Sequence, residues 1–71
     1  MKITYDKDAD AMYIKLLEGE FASNKVLDKD TILDLNKEGH ILGIEILDVS
    51  KRMGKKFLSN IQVENLIPED N

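Results

Sequence analysis

The sequence contains no cysteine and no tryptophan, and only one histidine and one proline among its 71 residues. Without cysteine, disulfide bonds and thiolate metal sites are excluded, and this absence fits a reducing compartment. No apolar run approaches the about 20 residues that a membrane-spanning helix needs. The first residues include charged side chains where a signal peptide would have an apolar stretch. We therefore expect a soluble, cytoplasmic protein.

Excess positive charge is also missing, because the net charge is −4 and the isoelectric point about 4.8. Phosphate backbones are bound by basic surfaces. The only basic cluster is typical of the solvated side of a helix: Lys51, Arg52, Lys55 and Lys56. The four glycines are dispersed and form no phosphate-binding loop. We expect no nucleic acid, no membrane, no cofactor and no metal ion as ligand.

What remains is a chain with 42% hydrophobic and 34% charged residues, a composition typical of a globular domain. Its length predicts one domain, residues 1–71, with a small core. Such a core leaves a narrow margin of stability, so a stabilising partner is favoured, and a second copy of the chain is the simplest one.

Alternating apolar and polar residues predict strands over residues 2–5, 11–17, 31–36 and 41–47, with a weaker edge strand over 21–28. The first two strands should pair antiparallel, because the aspartate-rich stretch between them favours a turn. Gly39, between the last two strands, can adopt a positive φ and predicts a tight hairpin. The strand over 41–47 is apolar on both faces, which indicates a central strand or one covered by a helix or a partner.

A helix is predicted after the last strand, with Asp48 or Ser50 as its N-terminal cap. Val49, Met53 and Phe57 recur every four residues and would form its apolar side. Gly54 interrupts this pattern and favours a short helix. Residues 61–65 alternate like a strand, with continued helix as the alternative. The predicted fold class is α+β, a small antiparallel β-meander of four to five strands with a C-terminal helix packed on one face.

Three ordered blocks of sequence point to a known family. Tyr5 to Ile14 reads Y-D-K-D-A-D-A-M-Y-I, Ile32 to Asp34 precedes the glycine turn, and Gly43 to Ser50 reads G-I-E-I-L-D-V-S. Over about residues 1–53 the chain resembles the small prokaryotic domain of unknown function 2283 family, which leaves 54–71 as an extension. The usual residues at positions 12 and 49 are Leu and Ala, so Met12 and Val49 depart from the pattern.

The resemblance implies neither an activity nor catalytic residues. It implies that the protein is encoded beside another small protein, in an arrangement similar to a toxin–antitoxin pair. An antitoxin-like partner of such a neighbour is therefore the second functional hypothesis, and the acidic balance suits a basic partner.

Two groups of polar residues were weighed as chemical sites. Asp6, Asp8 and Asp10 have the spacing that opens a calcium-binding loop, but the glycine and glutamate which that loop needs are replaced by Ala11 and Leu17. We therefore expect a turn and no metal site. The second group underlies a third hypothesis, a small hydrolase or metal-dependent enzyme: Asp34, His40 and Glu45. It ranks last, because a chain of this length has little room for a pocket, and no catalytic residue is assigned.

The face of the sheet that the helix leaves uncovered is the predicted site of partner contact. The candidate residues for this face are Tyr13, Leu17, Ile32, Ile41, Glu45 and Leu47. Glu45 is predicted either to pair with Lys15 across the sheet or to fix the orientation of a partner. Burial within the chain, a homodimer and another small protein partner all remain open. The first hypothesis is a non-enzymatic interaction domain that self-associates.

Overall fold

In the computed structural model, which describes residues 1–67, five strands form one antiparallel sheet followed by two short helical segments. The strands are β1 (Lys2–Asp6), β2 (Ala11–Lys15), β3 (Ser23–Asp28), β4 (Thr31–Leu35) and β5 (Ile41–Ile46). The helical segments are α1 (Val49–Met53) and a single 3₁₀ turn (Phe57–Ser59). No helix among residues 1–67 is long and apolar enough to cross a membrane.

The order of the strands across the sheet is β1-β2-β5-β4-β3. The predicted meander is therefore wrong, because β2 lies beside β5 and not beside β3. The physical reason is the polarity of β3, whose residues are all exposed. In the middle of the sheet this strand would bury Lys25, whereas β5 offers Ile44 and Ile46 to Ile14 and Met12 of β2. The prediction that β5 is a central strand is confirmed.

The turns of both predicted hairpins, β1–β2 and β4–β5, are stabilised by local hydrogen bonds. In the β1–β2 turn, the Asp6 carboxylate accepts hydrogen bonds from the N–H groups of Asp8 and Ala9, at 3.0 and 3.2 Å. In the β4–β5 turn, Gly39 has φ 85°, and its N–H group donates to the carbonyl oxygen of Asn36 at 3.0 Å. Both antiparallel pairings agree with the predictions.

A β-bulge shifts the register between β4 and β5. Asp34 pairs with Gly43, but the next residue, Leu35, pairs with Ile41, so β5 contains one extra residue there. This extra residue is Leu42, whose side chain is buried. Its carbonyl oxygen accepts hydrogen bonds from the backbone N–H groups of Leu16 and Leu17, the residues that directly follow β2. The bulge therefore fastens the β2–β3 connection to the central strand.

The helix is shorter than the predicted pattern required. It ends at Met53, because Gly54 adopts φ 83° and its N–H group donates back to the carbonyl oxygen of Ser50. Phe57 belongs to the separate 3₁₀ turn, so the predicted apolar side is split, and only Val49 is fully buried. The predicted strand over residues 61–65 is also wrong, since this segment has no neighbouring strand to pair with. Residues 68–71 of the predicted extension lie outside the described residues.

Candidate interaction surface

One face of the sheet is almost entirely apolar. Alternation along the strands and the pairing register place two rows of side chains on it. One row runs Ile3, Ile14, Ile44, Leu33, and the other runs Tyr5, Met12, Ile46, Thr31. We call this surface the apolar face and its first row the aliphatic row.

The helical segments cover only one end of the apolar face. Tyr5 lines a cleft together with Ser50, Gly54 and Leu58, so the chain after β5 lies over the Tyr5 end. Next to it, Met12 is only 4% exposed. The four members of the aliphatic row are half-buried, and no second layer covers them in the described chain.

The opposite surface, which we call the mixed face, combines apolar and charged side chains. Its central row is Thr4, Tyr13, Glu45, Ile32 and Val26, and the neighbouring row includes Lys2, Lys15 and Asp34. Asp34 accepts a hydrogen bond from the side-chain amide of Asn24 on β3, at 2.7 Å. The charges are thus spread over the middle of this face and not confined to its rim.

Tyr13 lies across the neighbouring strand because Gly43 has no side chain. A methyl group built on Gly43 would collide with the phenol ring and hydroxyl of Tyr13. Partial desolvation by this packing raises the pKa of Tyr13, and the nearby negative charge of Asp34 raises it further. Tyr13 is therefore a packed residue of the mixed face and remains protonated at neutral pH.

The structure brings together four of the six predicted contact residues. Tyr13 and Ile32 flank Glu45 on the two neighbouring strands, and Leu47 follows two residues after Glu45. Ile41 is separated from them by the bulge, which pairs it with Leu35. Leu17, the remaining residue, lies in the connection after β2. Their role in partner contact stays a prediction.

The predicted pairing between Glu45 and Lys15 does not form. The ammonium group of Lys15 instead contacts the carboxylate of Glu18 at 2.8 Å, and this bond lowers the pKa of Glu18. Glu45 faces Tyr13 and Ile32, neither of which carries a positive charge. Glu45 is thus left half-buried on the mixed face without a basic neighbour in its cross-strand row.

Asp34 and Glu45 share the mixed face. His40 instead lies in the β4–β5 turn, where its backbone N–H group donates a hydrogen bond to the side-chain oxygen of Asn36 at 2.8 Å. The three surface clefts that the structure describes are lined by other residues. Among residues 1–67, no group of three or more histidine and acidic side chains is placed to hold a metal ion. The enzymatic hypothesis stays a prediction from the sequence.

The largest cleft, of about 780 Å³, lies between the β1–β2 turn and the start of α1. Asp10 lines this cleft and adopts φ 52°. Its carboxylate accepts a hydrogen bond from the Tyr5 hydroxyl at 2.6 Å. It also accepts hydrogen bonds from the backbone N–H and the hydroxyl group of Ser50, at 3.0 and 2.9 Å. Asp48 precedes the helix but makes no side-chain cap. Asp10 therefore provides the cap for α1 from a distant part of the sequence.

Sequence reasoning missed this network. It treated Asp10 as a turn residue and Ser50 as a possible cap, and nothing in their spacing links two residues 40 positions apart. One feature of the sequence could have indicated it: all three residues lie in the blocks that resemble the family. Tyr5 and Asp10 belong to the first block and Ser50 to the third. In space these blocks meet at one point, which attaches α1 to the first hairpin.

These features define a class of protein: a small antiparallel sheet of one layer, anchored at one end by a short helix. The family model described as "Protein of unknown function (DUF2283)" matches residues 2–50, and the chain belongs to this family. The match spans all five strands and the start of α1, which confirms the resemblance seen in the sequence. Comparisons with curated proteins and with solved structures found no match.

Proposed function

We propose that this protein is a non-enzymatic interaction domain that self-associates through the apolar face of its sheet. The aliphatic row supports this proposal most directly. Four aliphatic side chains stand side by side across four adjacent strands, half-buried and without a covering layer. Contiguous apolar surface of this kind is typical of protein–protein contact sites.

The exposed area supports the same proposal. The chain exposes 5934 Å², whereas a compact monomer of its mass exposes about 4,500 Å². Its radius of gyration is 14.3 Å, against about 11 Å for a compact domain of this length. A stable dimer buries about 800 Å² on each partner. The excess exceeds this area, and the extended segment after residue 59, with Val63, Leu66 and Ile67 at 76–80% exposed, accounts for part of it.

Charge favours the apolar face over the mixed face as the place where two copies meet. With a net charge of −4, two copies repel each other unless their contact avoids acidic groups. Across β1, β2, β5 and β4 the two rows of the apolar face contain no carboxylate; on the edge strand β3 the aliphatic row ends at Lys25 and the second row at Asp28. Pairing two mixed faces would bury Asp34 and Glu45 against a second copy, and buried unpaired charges are costly.

Two adjacent residues of β4 provide a matched test of this proposal. Leu33 belongs to the aliphatic row and Ile32 to the mixed face, and both are half-buried. We expect Leu33→Glu to weaken dimerisation at least tenfold in sedimentation equilibrium, and Ile32→Glu to leave it within about threefold. Circular dichroism and amide NMR spectra would establish that each variant is folded.

Ile3→Ser, on the edge strand β1, gives a milder change of the same face should Leu33→Glu fail to fold. It should also weaken dimerisation. A strict monomer at tens of micromolar for the unmodified chain would overturn self-association. A loss of dimer in Ile32→Glu as large as in Leu33→Glu would overturn the choice of face.

A further inference from the structure

The segment that follows the 3₁₀ turn exposes more apolar surface than any strand. Ile61, Val63, Leu66 and Ile67 are between 51% and 80% exposed, although each is a large aliphatic residue. Ile61 and Val63 alternate with Gln62 and Glu64, which is the pattern of a strand with one apolar side. Residues 61–65 thus have the composition of a strand but lack a neighbour.

The chain does not turn back to pair with its own sheet. Leu58 lines the same cleft as Tyr5, so the segment starts close to the end of β1. Asn60 then continues in an extended conformation, with φ −141° and ψ 96°. No pairing between this segment and a strand occurs within residues 1–67.

The two edges of the sheet differ in how readily they accept another strand. β3 is interrupted by a register irregularity between Val26 and Asp28, and it places Lys25 in line with the aliphatic row. Bulges and inward-facing lysines are the features that protect sheet edges from further pairing. β1 has no bulge, because all five of its residues pair with β2 in a regular register, and its one lysine, Lys2, lies on the mixed face.

We propose that residues 61–65 of one chain add as a sixth strand to the β1 edge of a second copy. This inference rests on the proposed self-association and specifies how the two copies are joined. Backbone hydrogen bonds would supply the pairing, and alternate side chains its register. The apolar side of the segment, Ile61 and Val63, would continue the surface formed by Ile3 and Tyr5.

Charge and position are consistent with this occupant. In the antiparallel register that pairs Ile61 with Tyr5 and Val63 with Ile3, Glu64 would lie opposite Lys2, so its carboxylate meets a basic edge residue. The segment follows Leu58, which lies at the Tyr5 end of the apolar face, so it starts on the side of the sheet that would face the second copy.

Isotope-filtered NMR on a mixture of labelled and unlabelled full-length chains tests the proposal directly. We expect intermolecular contacts between residues 61–65 and β1, together with slowed hydrogen exchange of the outward amides of β1. A matched pair of double variants tests the side chains: I61S/V63S should weaken the dimer at least tenfold, and Q62S/E64S by less than threefold. All four positions are exposed, so neither pair should disturb the fold.

Three results would overturn the inference: contacts of the segment with β1 of its own chain, contacts with the β3 edge of the second copy, or no strand in the dimer. If I61S/V63S dimerises normally while Leu33→Glu does not, self-association through the apolar face stands and the strand exchange fails. If the unmodified chain is a monomer, both fail together. Each outcome therefore separates the two proposals or decides both.

Discussion

At the scale of single residues, Asp10 connects the most distant parts of the chain. Hydrogen bonding from Tyr5, and then from the N–H group of Ser50, lowers the pKa of Asp10 below its ordinary value of 3.8. The same bond to Asp10 raises the pKa of Tyr5 above its ordinary value of 10.0. Both shifts favour the charged carboxylate beside the neutral phenol.

The pH dependence of stability should therefore reflect this pair at both ends of the scale. The contribution of Asp10 is complete above its ordinary pKa and is lost as the pH falls through the lowered pKa of the folded state. That of Tyr5 is complete below its ordinary pKa and is lost as the pH rises through the raised one. We expect Asp10→Asn, which tolerates a positive φ, to be less stable by a constant amount between about pH 5 and 9. The difference should narrow progressively as the pH falls below about 4 and shrink again above about pH 10.

Urea denaturation of both proteins across this pH range measures the difference. Tyr5→Phe is the control, because it should remove the alkaline change and retain the part of the acid change that Ser50 supports. A difference between the unmodified protein and Asp10→Asn that stays constant from about pH 2.5 to 11 would contradict the assignment.

At the scale of elements, β2 and β5 fit together because the Tyr13 ring of β2 lies over Gly43 of β5, a diagonal neighbour that has no side chain. Gly43→Ala places a methyl group against the Tyr13 ring, and we expect a loss of about 1–3 kcal/mol in the free energy of unfolding. In a Tyr13→Leu background the loss should be at least halved, because the phenol is gone. Urea denaturation of the four proteins of this double-mutant cycle measures the coupling. Equal losses in both backgrounds would show that the ring is not the obstacle.

The elements themselves were largely predictable from the sequence, since each rests on local physics. Alternation identified the strands, and Gly39 identified the β4–β5 turn, because both signals act over a few residues. The order of the strands was not predictable in this way. Placing β3 at the edge depends on comparing the polarity of β3 and of β5 as neighbours for β2. The β2–β5 pairing that results joins residues 28–34 positions apart.

The helix and the interaction surface show the same limit. The spacing of Val49, Met53 and Phe57 predicted one helix, but the positive φ of Gly54 divides it. Alternation along the sequence predicted which side chains of each strand share a face. It did not predict how much of each face the helix covers. The apolar face became the stronger candidate because α1 is too short to reach the aliphatic row.

At the scale of the whole molecule, an exposed apolar face links stability to concentration. Only Met12, Leu42 and Val49 are buried hydrophobic residues in the described chain, which is a small core for a protein of this length. If two copies complete each other's core, each 100-fold increase in chain concentration stabilises the dimer by about 2.7 kcal/mol. We expect the melting temperature to rise by roughly 5–10 °C between about 1 and 100 µM.

Differential scanning calorimetry at several concentrations measures this dependence. Leu33→Glu serves as the control, and its melting temperature should rise less over the same range of concentrations because its dimer is weaker. A melting temperature of the unmodified chain that does not change with concentration would mean that the single sheet is stable alone.

The asymmetry between the two edges of the sheet bears on the size of any assembly. A sheet that accepted new strands at both edges could grow without limit into a fibre. If residues 61–65 add to β1 as proposed, each chain has one acceptor edge and one donor segment, and Lys25 and the irregular register of β3 would block growth on the other side. Reciprocal exchange between two chains would then use up both, so the particle would close as a pair. The least regular strand of the fold would then be the part that keeps the protein from polymerising.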